Sequence, residues 1–270
     1  MIMRRLGFVV MIASVGLALY FNNIDRKPSG PDPDPPKPED PNPPKPEDPN
    51  PPKPEDPKPE DPNPPEPEDP IKIIIEKASG AGKPFDEMSL EDFKKVERLY
   101  FPEGDISNIQ LLSKVPELTR LDFPSNEVSD IDSLSGLTKL DHLNLGKNKI
   151  HDLRPLSGME HLRDLALHNN DISTVKPLED LAELEALDLS HNNISDLGPL
   201  AAAKNLVELN LDHNQIQKVE PLAYLSQLQR LSLENNRIKD VGSIGTLRSL
   251  EELDISYNKG HSHPSLQRLT

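Results

Sequence analysis

His191 and His213 stand 22 residues apart, in a stretch that also holds His168 and Asp212. Imidazole nitrogens and a carboxylate form a donor set suited to zinc or nickel. Imidazole is also the side chain that changes charge near neutral pH. A metal would need a third ligand close by, and nothing in the linear order guarantees one, so neither a metal nor a cofactor is expected. No nucleophile is paired with a base, and no insertion builds a pocket, so no catalytic residue is assigned and the chain is not expected to be an enzyme. His261 and His263 form a second pair, but without an acidic or third histidine neighbour they read as a frayed terminus. Gly80-Ala81-Gly82-Lys83 has the texture of a phosphate loop, yet it lacks the full glycine spacing and the Lys-[Ser/Thr] ending.

The spacing between the two histidines is the period of the chain. In the stretch from Leu184 to Asn205, Leu184, Leu187, Leu189, Asn192 and Ile194 occupy fixed slots. The same slots hold Leu162, Leu165, Leu167, Asn170 and Ile172 one period earlier, and Leu206, Leu209, Leu211, Asn214 and Ile216 one period later. The register starts at Val96 and restarts at Leu118, Leu140, Leu162, Leu184, Leu206, Leu228 and Leu250 without an insertion. This is the leucine-rich repeat pattern. Leu187-x-Leu189 has the in-out alternation of a short strand, and strands of successive units can stack into a parallel sheet on a concave side. Ile194, Leu197, Leu200 and Ala203 then turn inward from an irregular or 3-10 convex limb. The expected fold is an α/β-type repeat solenoid stabilised by stacking neighbours, since no unit can bury its apolar set alone. The column Asn126, Asn148, Asn170, Asn192, Asn214, Asn236 and Asn258 is expected to satisfy buried backbone groups between turns rather than to bind a ligand.

Asp152-Leu153-Arg154-Pro155-Leu156 and Asp196-Leu197-Gly198-Pro199-Leu200 carry a further mark. Together with the 22-residue unit they resemble the internalin-like class of bacterial leucine-rich repeats over residues 71 to 260. Val175-Lys176-Pro177-Leu178 and Val219-Glu220-Pro221-Leu222 are close variants. The resemblance implies the repeat fold and a binding role, while the partners of that class are diverse. No LPxTG-like motif stands at the C-terminus, so the wall anchoring used by many internalins is not expected.

The rest of the chain divides by texture. Residues 1–27 carry Arg4 and Arg5, followed by an uncharged run from Leu6 to Phe21, and read as a membrane anchor or signal sequence. The positive-inside rule puts Arg4 and Arg5 in the cytoplasm and everything after Phe21 outside. Membrane contact is expected through residues 6–21 only. The expected location is the cell envelope, anchored in the inner (cytoplasmic) membrane, or alternatively the medium after cleavage at Ala18. Residues 28–70 hold 21 of the chain's 30 prolines, with 13 acidic and 4 basic residues. They read as a disordered, extended acidic linker, on the order of 130 Å long at about 3.1 Å per residue. Residues 71–95 read as a helical cap on the first repeat, with Ser89 and Asp92 opening a helix whose Leu90, Phe93 and Val96 share one face. Residues 96–260 are the repeats, and 261–270 form a tail in which Ser265 to Leu269 fold over the last repeat. Gly260 takes the slot of an inward isoleucine.

The chain has a net charge of −16 and no cysteine. Phosphate binding needs clustered Lys and Arg, so nucleic acid is not an expected partner. Absence of cysteine removes disulfides, zinc-thiolate sites and lipoprotein attachment. The positions free to vary between repeats are the outward strand residues and the turns after them. Among these Asp164, His168, Asp188, His191, Asn210, Asp212, His213 and Glu234 are expected to form a negative, aromatic-poor face in mid-solenoid that binds another, basic protein. Charging His191 and His213 near pH 6 is expected to oppose that attraction. The protein is read as a monomeric, non-enzymatic, envelope-anchored binding module. The alternative is an adhesive envelope element that binds polysaccharide, with the proline-rich segment as a wall-spanning spacer.

Overall fold

A computed structural model describes residues 68–101 and 103–258 and the backbone of 267–268. The expected anchor at 6–21, the linker up to residue 67, Gly260 and the pair His261 and His263 lie outside the described residues. Among the described residues no helix is long and apolar enough to cross a membrane.

Each repeat contributes a strand of three residues: β1 (Arg98–Tyr100), β2 (Arg120–Asp122), β3 (His142–Asn144), β4 (Asp164–Ala166), β5 (Ala186–Asp188), β6 (Glu208–Asn210), β7 (Arg230–Ser232) and β8 (Glu252–Asp254). They pair in parallel, in sequence order, with every residue opposite its counterpart 22 positions on. A constant repeat length leaves no other register, because a slip of one residue would turn each central leucine outward. A ninth strand, β9 (Gln267–Arg268), pairs antiparallel with β8.

The core is one continuous cluster built of columns. In the unit from Leu184, the side chains of Leu184, Leu187, Leu189, Ile194, Leu197, Leu200 and Ala203 are all at most 2% exposed. The column after the strands reads Phe101, Phe123, Leu145, Leu167, Leu189, Leu211 and Leu233, all buried. Phe101 and Phe123 meet at a centroid distance of 4.5 Å, so the bulkiest members of this column lie at its N-terminal end.

The convex limbs are short 3-10 turns. Pro155, Pro177, Pro199 and Pro221 sit in the first two positions of theirs, where a fixed φ helps and a missing N–H costs nothing. Where an aspartate stands two residues before a turn's first backbone N–H, it has a separate job. Asp152 Oδ1 accepts from Arg154 N–H at 3.0 Å, Asp196 from Gly198 at 2.9 Å and Asp240 from Gly242 at 2.8 Å. These are Asx turns, which hold the chain at the bend without a neighbouring repeat.

The asparagine column does what backbone accounting requires. Asn192 Nδ2 donates to Leu167 O of the preceding repeat and to Leu189 O of its own, both at 3.0 Å, while its Oδ1 accepts from Ile172 N–H at 3.0 Å. Asn148, Asn170, Asn214, Asn236 and Asn258 repeat the arrangement. All of them are at most 8% exposed.

At the N-terminal end, α1 (Pro70–Ser79) is capped by Asp69 and terminated by Gly80 at φ 61. It buries Ile71 and Ile75 against the first repeat. Asp92 Oδ2 accepts from the N–H and hydroxyl of Ser89 at 2.8 and 2.6 Å, opening α2 (Leu90–Phe93). This helix is a single turn, so Leu90 does not join Phe93 and Val96 on an apolar face; it is 60% exposed. Lys83, in the stretch that resembled a phosphate loop, ion-pairs with Asp92 at 2.6 Å. With Ser89 and Lys95 it holds that carboxyl far below the usual carboxylate range.

Asn192→Ala leaves the N–H of Ile172 unpaired in the core and takes one of two amide donors from the carbonyls of Leu167 and Leu189. It should cost about 1–3 kcal/mol, against about 2–5 kcal/mol for the cavity left by Leu189→Ala. Deleting residues 184–205 as a block preserves every column, whereas deleting about half a unit breaks them all on one side. Denaturant unfolding should therefore rank the half-unit deletion as the less stable. Equal stability of the two deletions would contradict the register argument.

Candidate functional site

The residues that vary between repeats form two outward columns on the strands and two in the turns that follow. The last of these columns is not conformationally free. Ser125, Lys147, Asn169, His191, His213, Asn235 and Tyr257 all lie in the left-handed region, with φ between 53 and 56. The reversal lets the asparagine that follows turn inward. No residue in the column is β-branched, in keeping with the steric cost of that region, and asparagine and histidine are among the types that tolerate it best.

His191 and His213 meet as expected from the period, with ring centroids 4.0 Å apart and planes 11° from parallel. Ring lone pairs lie in the ring plane, so two stacked imidazoles direct theirs side by side and not toward a common point. Among the described residues no group of three or more His, Cys, Asp or Glu side chains is placed to hold a metal ion. His213 Nδ1 lies 2.6 Å from Asn235 Nδ2. Burial, and then the neighbouring His213, push the His191 pKa below the usual histidine value.

His168, one repeat earlier, lies across Gly146. A Cβ on that glycine would stand 2.2 Å from His168 Cε1, so the missing side chain is what makes room for the ring. His168 Nδ1 is 3.6 Å from Asp188 Oδ2 and has no hydrogen-bond partner. Asp188 Oδ1 accepts from Ser190 N–H at 3.0 Å, and Asn210 Oδ1 accepts from Asp212 N–H at 3.0 Å. Asn144 and Asp254 make the same bond in their repeats. One oxygen of each is thus committed to the local turn.

Asp212 has a comparable structural role, reached from the neighbouring repeat. Ser232 stands where most other repeats have Asp or Asn, and its hydroxyl donates to Asp212 and does not accept from the N–H of Glu234. Asp212 Oδ1 accepts from that N–H at 2.7 Å and from Ser232 Oγ at 2.6 Å. Burial outweighs these bonds and pushes the Asp212 carboxyl up to about 6. The expected acid response of the face therefore changes carrier. Asp212 loses its charge near pH 6, while His191 resists gaining one.

Asp164 is joined to a residue not singled out in the sequence. His142 is 2% exposed, with Nε2 3.0 Å from Asp122 Oδ1 and Nδ1 3.7 Å from Asp164 Oδ2, the latter an ion-pair distance and not a hydrogen bond. Burial opposes the charged imidazole, but the two aspartates outweigh it and raise the His142 pKa above the ordinary value. The signal was present in the sequence as two aspartates whose slots flank His142 on adjacent strands. On the same face Glu208 pairs with Arg230. The eight expected site residues thus fall within β4 to β7 and the turns after them. They are linked in pairs and are half-buried, apart from the exposed His191.

Two leucine-rich repeat family models match the chain. One, described as two copies of the repeat, matches residues 116–158, 138–183 and 182–224, and a second matches 204–259. No curated protein matches in sequence. Among solved structures, internalin C2 of Listeria monocytogenes is 27% identical with a TM-score of 0.56, covering 68% of this chain and 91% of that one. A leucine-rich repeat protein of Leptospira interrogans is 25% identical with a TM-score of 0.51, covering 63% and 52%. PEPR1–AtPEP1 is 26% identical with a TM-score of 0.54, covering 60% and 25%.

Asp212 supplies a stability test with a definite sign. Its folded pKa of about 6 stands above the ordinary aspartate value of 3.8, so the ionised form is the one that folding disfavours. That penalty is complete above about pH 6 and disappears as pH falls toward 4. Asp212→Asn keeps an oxygen to accept from Ser232 and Glu234. It should melt higher than wild type at about pH 7.5 and lose that advantage near pH 4, followed by thermal unfolding across the range. A pH-independent difference would mean that burial of the charge is not the cause.

Proposed function

The chain belongs to the leucine-rich repeat proteins, of the bacterial internalin-like type, and from that premise we propose that it is a non-enzymatic binding module whose strand face engages another protein. The observation that carries this reading is the face itself. Eight strands in unbroken register present varied polar side chains, with no insertion interrupting them. A backbone held by its neighbours pays little ordering cost on binding, so complementarity of the side chains decides the partner. A structure similar to this chain, PEPR1–AtPEP1, joins two components, which favours a protein or peptide ligand.

The mid-face of Asp164, Asp188, Asn210 and Glu234 carries more acid than base and no aromatic side chain. Such a surface draws a basic partner mainly through association rate, an effect that salt screens. Mass transport into the envelope is part of the same proposal. Arg4 and Arg5 followed by the uncharged run to Phe21 support an inner-membrane anchor, with residues 28–70 as a spacer that carries the repeats outward.

Two experiments test these readings. Capture of the partner from envelope extract by the full chain should fall about tenfold or more on Asp188→Lys with Glu234→Lys, decline with salt, and survive Lys176→Glu on the opposite limb. Its decline with mild acid should begin near pH 6 and shrink in Asp212→Asn. Capture by residues 28–70 alone would instead move the function to the linker. Separately, a reporter active only outside the cytoplasm, fused after Pro70, should be active and sediment with membranes. Activity found only in the medium would favour cleavage, and loss of activity would remove the export reading.

A further inference from the structure

The strand face has a second, oppositely charged end. Arg98 on β1 and Arg120 on β2 are register partners, so two guanidinium groups project from adjacent strands, about 4.8 Å apart at the backbone. Like charges placed directly opposite one another destabilise a sheet unless something answers them. Elsewhere on the strands the answer is internal, as with Arg230 and Glu208. Neither Arg98 nor Arg120 forms an ion pair among the described residues. Arg120 Nε is buried without a hydrogen-bond partner, which is costly for a guanidinium donor. The nearest strand carboxylate, Asp122, is turned to His142. Tyr100, two residues along from Arg98 and on the same face, is 64% exposed and adds an aromatic ring with a hydroxyl.

Resting on the reading of the face as a protein-binding surface, we propose that the partner is a segment of bipolar charge, whose acidic residues sit on Arg98 and Arg120 while its basic residues sit on the acidic mid-face around Asp188. The carboxylates would meet the terminal nitrogens of the two guanidinium groups, whose planar fork fits a carboxylate through two parallel bonds. The distance between the two ends sets the spacing in the ligand. From midway between β1 and β2 to β5 is three and a half strand intervals, on the order of 17 Å. Extended chain covers that in about five residues. Between the two ends, His142 lies against Asp122 and Asp164 and answers part of their charge, so the intervening residues of the ligand need carry none.

The test uses the full chain and synthetic peptides in fluorescence anisotropy. One peptide carries two acidic residues, three neutral ones and two basic ones, so that the centres of the two charged pairs stand about five residues apart. A second has the same composition with the charges alternating, and a third keeps the basic pair but has neutral residues for the acidic pair. The bipolar peptide should bind about tenfold or more tightly than either comparator. Arg98→Ala with Arg120→Ala should abolish that advantage and leave the basic-only peptide unaffected. Circular dichroism melting of the variant confirms that the repeats remain folded. Equal binding of the bipolar and alternating peptides, or no effect of the arginine substitutions, overturns the proposal. Asp188→Lys separates it from the reading beneath it. If that change leaves binding of both the bipolar and the basic-only peptides intact, or if no peptide binds the full chain, the strand-face reading fails as well. If it weakens both while the arginines are silent, only the bipolar partner is lost.

Discussion

Every repeat depends on an amide that belongs to two repeats at once. Asn192 takes a carbonyl from its own turn, another from the repeat before, and returns an oxygen to the N–H of Ile172. At each fully bonded member of the column the separations are the same: the carbonyl that accepts from the amide lies 25 residues before the asparagine, and the N–H that donates to it lies 20 before. An extra residue in any one repeat would carry its asparagine out of reach of both. The constant length of 22 is thus a hydrogen-bond constraint before it is a packing one. The leucines alone would tolerate looser spacing, because apolar contact is not directional, while a buried carbonyl needs its donor within a narrow distance and angle.

Constant length has a consequence for the surface. It converts a sequence interval into a spatial neighbour, so each outward side chain is next to the ones 22 before and after it. Many charges are then answered along the solenoid, from one repeat to the next. Lys139 pairs with Glu117, Lys149 with Glu127, Arg163 with Glu185, and Arg230 with Glu208. Asp212 caps a turn one repeat away, where the Ser232 hydroxyl donates to the same carboxylate oxygen. The rim and face therefore carry their own electrostatic bookkeeping, and the residues left out of it are the ones available to a ligand.

The repeat period, the strands, the inward leucines and the role of the asparagines were legible because each rests on a rule repeated many times in one chain. What escaped the sequence rests on single events. The left-handed turn at His191 and His213 leaves no glycine signature, since the column is filled by Lys, Ser, Asn, His and Tyr. The space over which His168 lies is made by the absence of a Cβ at Gly146, a pairing that no periodicity announces. Leu90 looked apolar and helical, and it is both, but a helix that ends at Phe93 is too short to present a face. Of the site residues, their grouping within β4 to β7 followed from the register. Their protonation did not, because the rise in the Asp212 pKa comes from burial under the next repeat, and burial depends on side-chain directions that spacing alone leaves open.

The half-burial of the face also bears on how it can recognise anything. A side chain such as Asp188, with one oxygen fixed by Ser190 N–H and the other near His168, has little freedom left to lose. Ordering an exposed long side chain costs on the order of 0.5–1.5 kcal/mol at an interface, and here much of that cost was met when the repeats stacked. The same packing limits adaptability, since a carboxylate held on one side accepts only from donors that approach on the other. Aromatic-rich faces gain affinity through large buried area. This one has its exposed aromatics, Tyr100 and Tyr257, at the two ends of the sheet and a fixed array of charges between them. On the proposed reading as a binding surface, such a face discriminates by charge spacing, with affinity secondary. That property follows from columns of partly committed side chains on a backbone whose spacing cannot vary.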